Sequence, residues 1–281
     1  MRNVLKKIPK TAKKSIQYSF SIIAGLNTIV GIWGYTIKDI NNINPQWQLL
    51  WWECGLILLC AFIVLAIIFY CAFHLDRHRA YETTINGKTV VIKTGDIFEE
   101  EGWKVIPFND RYDTQVDDVI IARNTLNGKM IEEHVKDLSD LKNTIESAAN
   151  DASALKPKLS AGRRVYPLGR LIPYKDFLML SLSHFDNQNR AFISTGEYEQ
   201  MLIHLWSEMR RVYAAKPIAI PLIGGGITTI EGEPQKNYTE ILKCILCTLR
   251  RSHFQPEQGI RIILTKELMK KIDINVIAED F

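Results

Sequence analysis

Ile218-Ala-Ile-Pro-Leu-Ile-Gly-Gly-Gly-Ile-Thr228 decides the fold: an apolar run of strand length ends in three consecutive glycines. An uncharged run of this length, closed by glycines, predicts a buried strand that stops where the backbone must turn. Glycine tolerates positive φ and lets a ligand approach the backbone with no Cβ in the way. Two readings of the loop stand side by side. The N–H groups of Gly224, Gly225 and Gly226 can form an anion nest suited to a diphosphate, or the glycines serve a tight structural turn. Neither the dinucleotide fingerprint nor the Walker lysine pattern is present.

Outward from this strand, short apolar runs alternate with helical patterns. Lys88–Thr94, Trp103–Phe108, Phe177–His184 and Ile260–Leu264 read as strands, and residues 136–154 as a polar helix. Tyr198, Met201, Leu202, Leu205, Trp206, Met209, Val212 and Tyr213 follow helical spacing, as do Tyr238, Ile241, Leu242, Ile245, Leu246 and Leu249. Alternating strands and helices imply a layered α/β/α domain with ligand loops at strand ends. Asp96, directly after the first of these strands, has two readings: a cap on the following turn, or an acceptor for an adenine amino group.

The N-terminal part is different in kind. Residues 15–37 carry no charge, and residues 47–73 carry only Glu53, beside Trp47, Trp51 and Trp52. Both runs have the length and polarity expected of transmembrane helices. A basic arm at 1–14 and Arg77 and Arg79 flank them, so the positive-inside rule places both termini in the cytoplasm and the loop at 38–46 outside. A cleaved signal peptide fits poorly, since the first run is too long and a second follows directly. Gly25, Gly31 and Gly34 would permit close helix approach and hence a homo-oligomer. The expected organisation is arm, two spans within 15–75, connector at 76–86 and cytoplasmic domain at 87–281.

The net charge of +4 follows this division. Beyond the second run remain 28 of the 35 basic and 29 of the 31 acidic residues, so the domain is near neutral. A nucleic-acid partner would need a basic excess on the domain itself, and none is expected. Cys244 and Cys247 form a single CxxC on a helical pattern, which reads as core thiols rather than half a zinc site. No metal is expected. The six histidines are scattered, and neither Ser/His/Asp nor Cys/His spacing emerges.

Three motifs carry a resemblance to a known family. Val91-Ile-Lys-Thr-Gly95-Asp96-Ile97 resembles the opening strand and GDI of macro domains. Val105-Ile-Pro-Phe-Asn109 resembles their second strand, and Ile220-Pro-Leu-Ile-Gly-Gly-Gly-Ile-Thr228 their diphosphate loop. The three follow the family order over most of residues 87–270. Preceded by two spans, with Asp113-Thr-Gln-Val-Asp-Asp118 and Asn124-Thr-Leu-Asn-Gly128 between the motifs, the chain resembles the transmembrane-macro effectors of type II Thoeris anti-phage defence.

The resemblance implies a macro-like α/β/α domain with a mixed sheet behind two transmembrane helices, in a bacterial inner membrane. Its ligand would be an ADP-ribose derivative, histidine-linked ADP-ribose made by a TIR-domain enzyme, and no cofactor is implied. Asp96 and Ile97 would hold the adenine, and Leu222, Gly224, Gly225, Gly226, Ile227 and Thr228 would line the phosphates. Asn109 would lie by the distal ribose, with Leu126 and Gly128 in the turn closing over it. The usual glycine-rich first loop is missing between Asn109 and Gly128; there Asp113, Asp117 and Asp118 are expected either to meet the added group's amine or to act as turn caps. The implied function is a receptor-effector, not an enzyme, that oligomerises and disrupts the bilayer to kill the infected cell. A membrane-tethered ADP-ribosyl hydrolase is the runner-up and an empty scaffold the third reading.

Overall fold

The computed structural model describes residues 15–25, 51–77, 80–154, 156–160, 162–232 and 235–281. The chain divides into two units, Met1–Arg79 and Ala80–Phe281.

In the first unit the described elements are helix α1 at 15–25 and helix α2, Trp51–Arg77. Tyr18 and Phe69 meet with ring centroids 6.0 Å apart. Among the described residues no helix is long and apolar enough to cross a membrane. This corrects the expected fold class on its two transmembrane helices, and with it the multi-pass placement in a bacterial inner membrane. The described length of helix α1 rises about 16 Å, against about 30 Å of hydrocarbon. The arm at 1–14, residues 26–37 of the first expected span, the loop at 38–46 and residues 47–50 lie outside the described residues.

The second unit is built on a mixed sheet. Its strands are β1 (Ala80–Ile85), β2 (Lys88–Thr94), β3 (Trp103–Asn109), β6 (Leu171–Tyr174), β7 (Phe177–Phe185), β8 (Ala191–Ser194), β9 (Ile218–Pro221), β10 (Thr229–Glu231) and β11 (Ile260–Leu264). A separate hairpin joins β4 (Lys158–Ser160) to β5 (Arg163–Val165). The spatial order is β1-β2-β11-β9-β3-β7-β8-β10, with β6 on β7. Strands β2, β11, β9, β3 and β7 run parallel, and β1, β6 and β8 are antiparallel to their neighbours.

Period-two alternation in these strands explains the layers. Val90, Ile92, Val105, Ile218, Ile220, Ile260 and Ile262 face one core, shared with helices α5 (Thr195–Val212) and α6 (Tyr238–Ser252). Ile106, Phe108, Phe177, Met179, Ala219 and Ile263 face a second core, completed by Leu141 and Ile145 of helix α4 (Leu138–Ala148). A layered α/β domain with a mixed sheet is thus present.

Helix α5 starts at a full capping box, in which Ser194 Oγ accepts from the Glu197 N–H and the Glu197 carboxylate accepts from the Ser194 N–H. Strand β1 comes from residues with only a weak strand pattern. Its hairpin is set by Asn86-Gly87, both at positive φ, the pair that two-residue hairpins favour.

Strand β3 carries one irregularity that matters below. Phe108 stands opposite Ser181, but Asn109 stands opposite Ser183, a slip of one residue at the strand end. Bulges of this kind re-aim side chains.

Candidate functional site

The parallel strands all end on one side of the sheet, and a cavity of about 500 Å³ lies there. It is lined by Gly95–Phe98 after β2, Pro107–Asn109 of β3, Pro221, Leu222 and Gly224 after β9, and Ile263–Thr265 at the end of β11. Open sheets place ligand sites at such strand ends. The Gly95 N–H donates to the Leu264 carbonyl at 3.1 Å, holding two of these ends together.

Asp96 serves as a cap and as cavity wall. Its Oδ1 accepts from the Phe98 N–H at 3.0 Å, closing the single turn Ile97–Glu99. The glycine loop forms a tight turn, and most of its residues also line the cavity. The Gly225 N–H donates to the Leu222 carbonyl at 2.8 Å, and Gly224 has φ +83, the pattern of a type II turn with glycine at its third position. Tyr198, from helix α5, donates its hydroxyl to the Ile223 carbonyl at 2.7 Å. Gly224, Gly226, Ile227 and Thr228 line the cavity, while Gly225, whose N–H is spent inside the turn, does not. Ile227 is 71% exposed, unusual for an isoleucine with an apolar core so near.

The far wall is a short helix, α3 (Leu126–Lys129), capped by Thr125 Oγ1, which accepts from the Gly128 N–H at 3.2 Å. Leu126 lines the cavity with Asn124, Asn127 and Lys129. Gly128 lies beneath the turn, where a Cβ would come 2.4 Å from the Ala122 carbonyl oxygen. It is a packing glycine rather than a wall residue.

Asn109 is buried and faces the cavity with its amide held by Asp113. Its Nδ2 donates to Asp113 Oδ2 at 2.7 Å, and its Oδ1 accepts from the Asp113 N–H at 3.0 Å. Asp113 therefore stands one contact behind the wall. Asp117 accepts from the Ile120 and Val119 N–H groups at 2.7 and 2.9 Å. Those bonds hold its carboxyl below the ordinary range. Asp118 pairs with Arg123 at 3.3 Å. None of the three lines the cavity, and Asp117 and Asp118 have the contacts of turn caps.

Sequence reasoning had no signal for Phe98, Ser183, Phe185, Thr265 and Leu268, which also line the cavity. They come from segments whose pattern speaks only of core. Asp96 and Lys129 are the charged lining residues among those described. No group of three His, Cys, Asp or Glu residues suited to a metal ion occurs among the described residues. Cys244 and Cys247 are half-buried on helix α6.

Beside the cavity, past the β3 slip, a histidine stands between two carboxylates. His184 Nδ1 lies 2.7 Å from Asp110 Oδ2, and Nε2 lies 3.3 Å from Glu197 Oε1. The Asp110 hydrogen bond, outweighing partial burial, raises the His184 pKa above 6.5. A raised folded-state value means that this contribution to stability is complete below the unfolded pKa and is lost as pH rises through the folded one. The stability difference between wild type and His184→Gln should therefore shrink with rising pH above 6.5. Denaturant titrations between about pH 5 and pH 9 test this, and a constant difference would refute it.

The chain is similar to several known proteins. A family model described as "Thoeris protein ThsA, Macro domain" matches residues 90–265. Thoeris protein ThsA of Bacillus amyloliquefaciens (strain Y2) is 36% identical over 205 residues, 69% of this chain and 68% of that protein. Among solved structures, the Oceanobacillus iheyensis macrodomain with ADP is 16% identical, with a TM-score of 0.42 over 72% of this chain and 98% of that one. The same macrodomain with MES bound is 16% identical, with a TM-score of 0.43 and the same coverage.

Proposed function

The chain belongs to the family of Thoeris protein ThsA, whose macro domain it carries, and from that membership we propose that its strand-end cavity binds an ADP-ribose-derived signal in anti-phage defence. The observation that carries this reading is convergence. Asp96, Asn109 and the Gly224–Thr228 loop lie far apart in sequence and line one cavity, whose volume falls in the range of about 300–1,000 Å³ typical of small-molecule sites.

In the proposed complex the Asp96 carboxylate accepts from the adenine amine, supported by the Ile97 N–H. Phe98 gives an apolar surface beside the ring. The loop from Gly224 to Thr228 takes the phosphates, and Asn109, with Leu126 and its neighbours, meets the distal ribose. The proposed signal is histidine-linked ADP-ribose supplied by a TIR-domain enzyme. Binding would act through assembly with other copies of the chain, with death of the infected cell as the outcome. A ligand drives such a change only by binding one assembly more tightly than the other.

We read the site as a receptor rather than a hydrolase. Apart from Asp96 and Lys129, the polar side chains that line the cavity are amides and hydroxyls, and the Asn109 amide is already held by Asp113.

Two substitutions at Asp96 test the ligand reading. Asp96→Ala removes the carboxylate and the cap together. Asp96→Asn keeps an oxygen for the Phe98 N–H but turns an amide donor toward the adenine amine. Both should weaken ADP-ribose binding about 10- to 100-fold, the scale of one charge-assisted hydrogen bond. Asp96→Asn should leave the melting temperature near that of wild type. Calorimetric affinity equal to wild type in Asp96→Asn would overturn the assignment, and release of ADP-ribose from an ADP-ribosylated substrate would favour the hydrolase.

A further inference from the structure

Lys236 is not among the cavity-lining residues but stands against the glycine loop. Its Nζ donates to the Gly224 carbonyl at 3.0 Å and also to the Gly226 carbonyl. One ammonium thus gathers two carbonyls of the loop that carries no charge of its own. Its backbone is well anchored, since the next residue, Asn237, is the N-cap of the 15-residue helix α6 and accepts from the Thr239 and Glu240 N–H groups.

The peptide bond gives this contact a consequence at the cavity. In a trans peptide the C=O and the following N–H point in opposite directions across one rigid plane. Holding the Gly226 carbonyl on Lys236 turns the Ile227 N–H to the opposite side of the loop, and Gly226 and Ile227 both line the cavity. The Gly225 N–H does not compete for that role, because it is bonded to Leu222 within the turn.

Charge points the same way. Of the two charged lining residues, Asp96 is an anion at the β2 end and Lys129 a cation on the far wall. A diphosphate at the glycine loop would meet amide dipoles, which gain strength from a cation one peptide plane behind them. The positive end of helix α6, at the same place, adds to that field.

We propose that Lys236 is the positioning residue of the diphosphate subsite: it fixes the Gly224 and Gly226 carbonyls outward, aims the Ile227 N–H into the cavity and supplies the countercharge from behind the loop. This rests on the ligand reading above. Lys236 touches protein, not ligand, so its effect is specific to the part of the ligand that the loop holds.

The test uses the full chain and two probes, ADP-ribose and adenosine, which lacks the phosphates. Lys236→Met should weaken ADP-ribose binding about tenfold, the order of one charge-assisted contact, and leave adenosine affinity unchanged. It should also flatten the dependence of ADP-ribose affinity on salt. Lys236→Arg, which keeps charge and donors, should recover most of the loss. Lys236→Gln, with a thermal melt, guards against a folding defect in the methionine variant. Equal loss for both probes would make Lys236 a purely structural brace and overturn the proposal. Unchanged ADP-ribose affinity in Lys236→Met would overturn it while leaving the ligand reading standing. Failure of the wild type to bind ADP-ribose would instead defeat the ligand reading and this proposal together.

Discussion

Glu208→Ala is expected to lower the unfolding free energy by about 3–5 kcal/mol, the cost of leaving a buried charge without its partner. The charge left behind is Arg170, which is 1% exposed and keeps only the Asp151 carboxylate, at 3.6 Å. Glu208 Oε2 accepts from Arg170 Nη1 at 3.2 Å, from the Leu171 N–H at 3.1 Å and from Arg211 Nη2 at 2.9 Å, and Oε1 accepts from Arg211 Nε at 3.0 Å. Arg170 also donates to the Ala148 carbonyl at 3.1 Å, and Arg211 reaches Asp151 at 2.9 Å. The network therefore ties helix α5 to strand β6 and to the end of helix α4.

Burial alone would push the Glu208 carboxyl up. The Arg211 hydrogen bond, the Leu171 N–H and the two guanidinium charges outweigh it, and the pKa is lowered. A depressed carboxyl pKa adds stability above its unfolded value, lost as pH falls through the folded one. The gap between wild type and Glu208→Gln in urea melts should thus narrow on acidification. A loss below about 1 kcal/mol for Glu208→Ala would show that water replaces the carboxylate.

Gly224→Ala should be nearly as damaging, for a different reason. With φ at +83 the position suits glycine, and a Cβ there would lie 2.9 Å from Cε2 of the Tyr198 ring. Tyr198 is 3% exposed and belongs to the first core. Left-handed backbone costs a residue with a Cβ about 1–2 kcal/mol and overpacking a further 1–3. A combined loss of about 2–5 kcal/mol is expected, together with loss of ADP-ribose binding as the turn opens. Gly226→Ala is the informative partner, since a Cβ there meets no atom within 4 Å. Its stability should stay within about 0.5 kcal/mol of wild type. Its Cβ would nonetheless stand on the cavity wall and should weaken diphosphate binding. Equal melts for the two variants would mean that the turn can relax around Tyr198.

These contrasts show what the sequence could and could not disclose. The strands at Lys88, Trp103, Phe177, Ile218 and Ile260 were legible because each is a short apolar run closed by turn residues. Strands β6, β8 and β10, of three or four residues each, are too short to show a period. Asp96 and the glycine loop were legible as motifs, and Asn109 as a strand end. Asp113 was named, but its clasp on Asn109 depends on a local fold that no spacing reveals. Lys236 and His184 had no signal at all. One acts on a loop ten residues upstream, and the other meets an aspartate 74 residues away. The expected membrane spans came from hydropathy in residues 15–73, most of the first of which lies outside the described residues.

The slip at the end of strand β3 divides labour between adjacent side chains. In a regular strand Asn109 and Asp110 would point to opposite faces, one toward each core. Here both are buried, one turned to the cavity and the other to His184. One residue belongs to recognition and its neighbour to the scaffold, and both stand just past the register break between Phe108 and Asn109. Changes at Asn109 can vary what the pocket accepts without asking the strands before the break to repack.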